Sequence, residues 1–156
     1  LTTLASLHAA LPGSPPASWP EIAGKMALRK CLTATDEQRI GILCWDGKLI
    51  ANTDMHLGNL SFHIRNTDTS QTPLELPPAY DMLPMRYAPL SGGEVPANAN
   101  FSPPLPLPKE QELWLVACRA ALRFWQRTAA DQRISLQFCE ICRANELCLA
   151  MLAERV

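Results

Sequence analysis

The chain has 156 residues and a formal net charge of −1, with 47% hydrophobic residues and 14 prolines. A near-neutral balance gives no electrostatic basis for gripping nucleic acid or an anionic membrane. No apolar run reaches the roughly 18 residues of a membrane span and no secretory signal opens the chain, so a single cytoplasmic domain or lobe is expected.

Residues 1–35 form the first stretch. Leu1 to Leu11 reads as a short helical start, broken at Pro12-Gly13-Ser14-Pro15-Pro16. Ser18-Trp19-Pro20-Glu21 reads as a cap with proline in the first turn, opening a helix from about Glu21 to Lys30. His8 and Trp19 are expected to pack rather than react.

The second stretch, residues 36–89, carries the polar signals. Thr35 with Gln38 three residues on fits a capping box, and Ile40, Leu43, Cys44, Leu49 and Ile50 recur at near-helical spacing. A helix from Asp36 to Ala51 would span about 24 Å. Gly41 and Gly47 each weaken it by about 1 kcal/mol relative to alanine, so packing must hold it, and close helix approach accounts for both. The helix runs into Asn52-Thr53-Asp54-Met55-His56-Leu57-Gly58-Asn59. Beyond it, Leu60 to Ile64 and Leu74 to Leu76 read as the strands of a hairpin, with a polar turn from Arg65 to Pro73. Pro77-Pro78 stops the pairing for want of N–H donors, and Ala79-Tyr80-Asp81-Met82-Leu83 follows. Asp68, in the turn, is placed at the far, solvated end and excluded from any site.

The third stretch, residues 90–108, belongs to an irregular segment from Pro84 to Pro108. Its length suits a loop that is either functional or disordered. Ser91 and Ser102 have no local feature that marks them for modification, and Arg86 is expected to pair structurally. The run Pro103 to Pro108 reads as a stiff connector. Residues 109–156 read as two antiparallel helices. Lys109 to Ala130 carries Leu113, Val116, Ala120 and Phe124 on one face, flanked by Trp114 and Trp125. Ile134 to Ala153 carries Phe138, Ile141, Asn145, Leu149 and Leu152. Their aromatic and methionine side chains are expected in the core. Cys139-Glu140-Ile141-Cys142 invites a zinc or redox reading. With no second such pair, it reads as two buried thiols, and all six cysteines as reduced.

The chemistry lies in the second stretch. An aspartate, an asparagine five residues later and an isolated downstream aspartate are what phosphoryl transfer needs. One carboxylate accepts the acceptor hydroxyl's proton, and the other two side chains hold magnesium on the nucleotide phosphates. Asp54, Asn59 and Asp81 stand in those places. Turn-forming Asp and Asn at this spacing also arise without catalysis.

The segments Asn52 to Ser61 and Pro78 to Leu83 resemble the C-terminal domain of the HipA-like serine/threonine kinases, toxins of toxin–antitoxin systems. That family carries an N-x-D-x-H-x-x-N-x-S loop and a P-x-Y-D-[VIM]-L segment, both intact here. The resemblance is strong from about Asp36 to Pro89. It implies a mainly α fold with a small β-hairpin, the C-terminal lobe of a protein kinase. It also implies Asp54 as catalytic base, Asn59 and Asp81 as magnesium and nucleotide ligands, and His56 as support for the loop. ATP and Mg2+ follow as cofactors, a protein hydroxyl (aminoacyl-tRNA synthetases among the family's targets) as acceptor, and an antitoxin as partner.

A kinase also needs a glycine-rich loop and a phosphate-neutralising lysine. None of the seven glycines forms G-x-G-x-x-G, and Lys25, Lys30, Lys48 and Lys109 lie in no V-A-I-K-like strand. The chain begins at leucine, so a fragment lacking an upstream lobe, inactive alone, is expected. A small-molecule phosphotransferase and a non-catalytic kinase-fold binding module remain the alternatives.

Overall fold

The computed structural model describes residues 1–10, 17–65, 74–89, 92 and 101–156. The expected break at Pro12 to Pro16, most of the hairpin turn with Asp68, and Ser91 lie outside them. The described residues are mainly helical, with a small antiparallel sheet. They divide into two compact units, Leu1–Cys44 with Met55–Met82 and Trp45–Asp54 with Leu83–Val156.

In the first unit, β1 (Thr2–Thr3) leads directly into α1 (Leu4–Ala9). The Thr3 hydroxyl caps α1 by accepting from the Ser6 N–H at 3.2 Å. The helical start expected from Leu1 is thus preceded by a strand. Thr2 and Thr3 pair with Phe62 and Ser61 of β2 (Ser61–Ile64), and His63 and Ile64 of β2 pair with Glu75 and Leu74 of β3 (Leu74–Glu75). The hairpin strands stand where the alternation put them. The extra strand makes the sheet three-stranded, in the order β1-β2-β3.

The α2 helix (Trp19–Leu28) begins as its sequence signals. The Glu21 carboxylate accepts from the Ser18 N–H at 2.7 Å and from the Ser18 hydroxyl at 2.9 Å. Trp19, Ile22, Ala23 and Met26 lie on one helical stripe and are buried with Leu4, Ile40, Leu60 and Phe62. Each fully buried side chain of this size contributes about 1.5–3 kcal/mol. α2 closes on a left-handed residue, Lys30 at φ 58°. The Lys30 N–H reaches the Ala27 carbonyl and the Cys31 N–H the Met26 carbonyl, both at 2.9 Å, which together make a Schellman cap.

The α3 helix (Ala34–Leu49) starts two residues earlier than expected. Its cap is Thr33, not Thr35: the Thr33 hydroxyl accepts from the Asp36 N–H at 3.0 Å. This choice buries Leu32 just ahead of the helix and places Asp36 in the first turn, where a carboxylate complements the helix dipole. Asp36 also pairs with Arg39 at 3.0 Å. Gly41 and Gly47 are both buried.

The second unit holds α4 (Gln111–Ala130) and α5 (Leu136–Ala153), packed along one another. The buried stripe of α4 is Trp114, Ala117, Cys118, Ala121 and Trp125. The expected face of Leu113, Val116, Ala120 and Phe124 is only half-buried, with Val116 41% exposed. The two indoles decide the rotation, for they bury the largest area and each N–H finds a carbonyl. Trp114 donates to Pro104 at 3.0 Å, which ties the proline-rich connector to α4, and Trp125 donates to Leu49 at 3.1 Å.

On α5 the buried residues are Cys139, Cys142, Asn145 and Leu149, whereas Met151, expected inside, is half exposed. All six cysteines are free thiols. Burial pushes the Cys142 thiol up to about 11, further raised by Cys139, so it stays protonated and unreactive at neutral pH. No described helix is long and apolar enough to cross a membrane.

Candidate functional site

The loop that carries the polar motif begins at a strained helix end. α3 closes in a second Schellman cap: the Asn52 N–H reaches the Gly47 carbonyl at 2.8 Å and the Ala51 N–H the Lys48 carbonyl at 3.4 Å. The cap's left-handed position, usually glycine, is occupied by Ala51 at φ 60°. Immediately after it, the Asn52 side-chain oxygen accepts from the Asp54 N–H at 2.9 Å. This Asx turn bends the chain so that Asp54 is exposed while Asn52 stays buried. The Ala51 carbonyl accepts from the Arg86 N–H at 3.0 Å. The segment after Asp81 is thereby tied to the start of the loop within the second unit.

That segment is locked further along. Tyr87 ends a single 3-10 turn, Met85–Tyr87. Its hydroxyl donates to the Asn145 side-chain oxygen at 3.2 Å, and the Asn145 amide donates back at 2.9 Å. The ring stands edge-on to Trp125 and Phe138, with centroids 6.3 and 5.8 Å away. Burial pushes the Tyr87 phenol pKa up, opposed by the Asn145 hydrogen bond. Asn145, which looked like one more position on an apolar face, is the polar half of this buried pair.

The remaining motif residues belong to the first unit. His56 caps a short 3-10 turn, Leu57–Asn59, its Nδ1 accepting from the Gly58 N–H at 3.0 Å. A Cβ on Gly58 would stand 2.9 Å from that imidazole, so any larger residue there would push the His56 side chain aside. The His56 carbonyl accepts from the Asn59 N–H at 3.1 Å and from the Trp19 indole at 3.2 Å. Asn59 itself is buried.

Tyr80 reaches this turn from the other segment. Its hydroxyl donates to the Gly58 carbonyl at 2.8 Å and lies 2.6 Å from the Ser61 hydroxyl. With its one proton committed to Gly58, the phenol oxygen accepts from Ser61. Asp81 comes next, exposed and at φ 56°, a conformation that aspartate tolerates better than most residues. Asn59 and Asp81 thus sit on two chain segments held against each other, in one unit. Asp54 belongs to the other unit, whose boundary with the first falls between Asp54 and Met55. The roles of Tyr80, Ser61 and Asn52 were not read from the sequence, although all three stand inside its motifs.

Among the described residues, no three His, Cys, Asp or Glu side chains are grouped to hold a metal ion. A magnesium site does not require that, since the ion keeps waters and takes one or two protein oxygens plus substrate phosphates. The Asn59 amide oxygen and the Asp81 carboxylate are hard oxygen donors of the right kind.

No family model matches the chain, and no solved structure matches it. Among curated proteins, Toxin YjjJ of Escherichia coli (strain K12) is 36% identical over 143 residues, which are 92% of this chain and 31% of that protein. The chain therefore spans less than a third of the length of the curated relative it matches.

Proposed function

We propose that this chain is the catalytic lobe of an ATP- and magnesium-dependent serine/threonine kinase that acts as a toxin of the HipA type. One observation carries the reading: the Tyr80 hydroxyl holds the segment bearing Asp81 against the turn bearing Asn59. Two oxygen donors of a magnesium site are expected on just such a pair of segments. The intact Asn52–Ser61 and Pro78–Leu83 motifs and the similarity to a protein named as a toxin support it.

Asp54 is exposed, and its N–H is bound to Asn52, as suits a base that must meet an incoming hydroxyl. It orients the serine or threonine oxygen and accepts its proton. Asn59 and Asp81 would hold a magnesium ion, which would supply positive charge against the charge that develops on the phosphates during transfer. His56 serves the turn through its bond to Gly58 and has no part in proton transfer. The glycine-rich clamp and lysine lie elsewhere in a longer protein, so the chain by itself transfers phosphate poorly or not at all. A protein hydroxyl is the acceptor, with aminoacyl-tRNA synthetases the first class to try, and a cognate antitoxin is the regulatory partner.

The test is ATP binding by the full-length protein with and without magnesium, beside Asp81→Ala. Magnesium-dependent binding that this variant loses supports the reading. Binding that is indifferent to both magnesium and Asp81 refutes it.

A further inference from the structure

The peptide unit that joins Gly58 to Asn59 is fixed at both ends. Its N–H, that of Asn59, is bound to the His56 carbonyl at 3.1 Å, and its carbonyl, that of Gly58, is bound by the Tyr80 hydroxyl at 2.8 Å. A peptide plane held at both poles resists reorientation, and because the amide is planar it carries the Asn59 Cα, from which the side chain springs, with it. The same phenol is anchored by Ser61, two residues beyond Asn59, at 2.6 Å. Tyr80 is itself bonded in sequence to Asp81. A displacement of the phenol therefore moves both oxygen donors relative to each other. Tyr80 is 42% exposed, so the hydroxyl is not needed to bury its ring. Its hydrogen bonds have a local purpose.

We propose that Tyr80 is a positioning residue whose hydroxyl sets the separation and orientation of Asn59 and Asp81 for the magnesium ion carried by ATP. This rests on the kinase reading above and adds to it a residue that touches neither metal nor substrate. Groups that orient metal ligands through a hydrogen bond commonly change metal affinity by about 10- to 100-fold when removed. Tyr80→Phe keeps the ring and deletes only the oxygen. Ser61→Ala keeps the bond to Gly58 and deletes only the anchor.

The experiment pairs a metal-free readout with a metal-dependent one on the full-length protein. In the absence of metal, amide hydrogen exchange at Asn59 should rise about 10-fold in Tyr80→Phe, with distant amides in α4 unchanged. The magnesium concentration giving half-maximal ATP binding should rise about 10-fold in Tyr80→Phe and by a smaller factor in Ser61→Ala. ATP binding without magnesium should be the same in all three proteins. Faster exchange with an unshifted magnesium midpoint would reduce the phenol to a structural tether and overturn the proposal. So would an unshifted midpoint with unchanged exchange. A wild-type protein with no magnesium-dependent ATP binding would remove the kinase reading itself, and the proposal with it. The first two failures leave that reading standing.

Discussion

Both Schellman caps place a side-chain-bearing residue where glycine is usual, Lys30 at φ 58° and Ala51 at φ 60°. Their replacement by glycine separates two opposing effects. Holding an L-residue in the left-handed region costs about 1–2 kcal/mol. Glycine removes that cost but adds about 0.5–1 kcal/mol of chain entropy to the unfolded state. For exposed Lys30 the balance is a gain of roughly 0.5–1 kcal/mol. Ala51 is only 3% exposed, so glycine there also forfeits a buried methyl worth about 0.8 kcal/mol. Its balance falls near zero. Urea denaturation followed by circular dichroism, with the m-value checked for constancy, measures both. The expected result is a higher midpoint for Lys30→Gly, an almost unmoved one for Ala51→Gly, and a difference of about 0.8 kcal/mol between them. A loss of stability in Lys30→Gly, or a larger gain in Ala51→Gly, would refute the reasoning.

Three further outcomes are expected. Asp46, on α3, has its carboxyl raised from 3.8 to about 6 by burial, against the opposing charge of Arg123. A raised carboxyl favours the folded state when protonated, so stability from this group is complete below about pH 4 and is lost as pH rises through 6. Asp46→Asn should therefore stabilise the protein by roughly 1–2 kcal/mol at pH 7.5, allowing for partial solvent access, and hardly at all at pH 4; melting curves across that range measure it. Gly58→Ala would drive a methyl into the His56 imidazole, 2.9 Å away, and should lower both stability and magnesium-dependent ATP binding, as calorimetry would show. Tyr87→Phe leaves buried Asn145 short of its partner and should cost about 1–3 kcal/mol. The double variant Tyr87→Phe/Asn145→Leu should recover part of that loss, as denaturation curves would reveal.

Local signals carried much of the fold. The Ser18-to-Glu21 cap, the two hairpin strands and the terminal helix pair were all legible because capping chemistry and periodicity act over a few residues. The cap of α3 was misread because Thr33 and Thr35 are chemically equal, and what separates them is the burial of Leu32. β1 escaped notice because two threonines carry no alternation, and their partners lie some sixty residues on. The buried face of α4 came out rotated because counting aliphatic residues ignored the larger area of Trp114 and Trp125. For the candidate site, the motif spacing offered Asp54, Asn59 and Asp81 as candidates. What arranges the turn was invisible, since Tyr80 meets Gly58 and Ser61 through a hydroxyl across 22 and 19 residues. Asn52 was equally silent, because an Asx turn leaves no periodic trace.

The most direct measurement of the central claim is γ-phosphate transfer by the full-length protein beside Asp54→Asn, with magnesium, labelled ATP and a cell lysate. Phosphoserine and phosphothreonine would be mapped by mass spectrometry. The account expects label on protein serine or threonine that disappears in the variant while magnesium-dependent ATP binding persists. Equal labelling by both proteins, or label found only on small molecules, would contradict it.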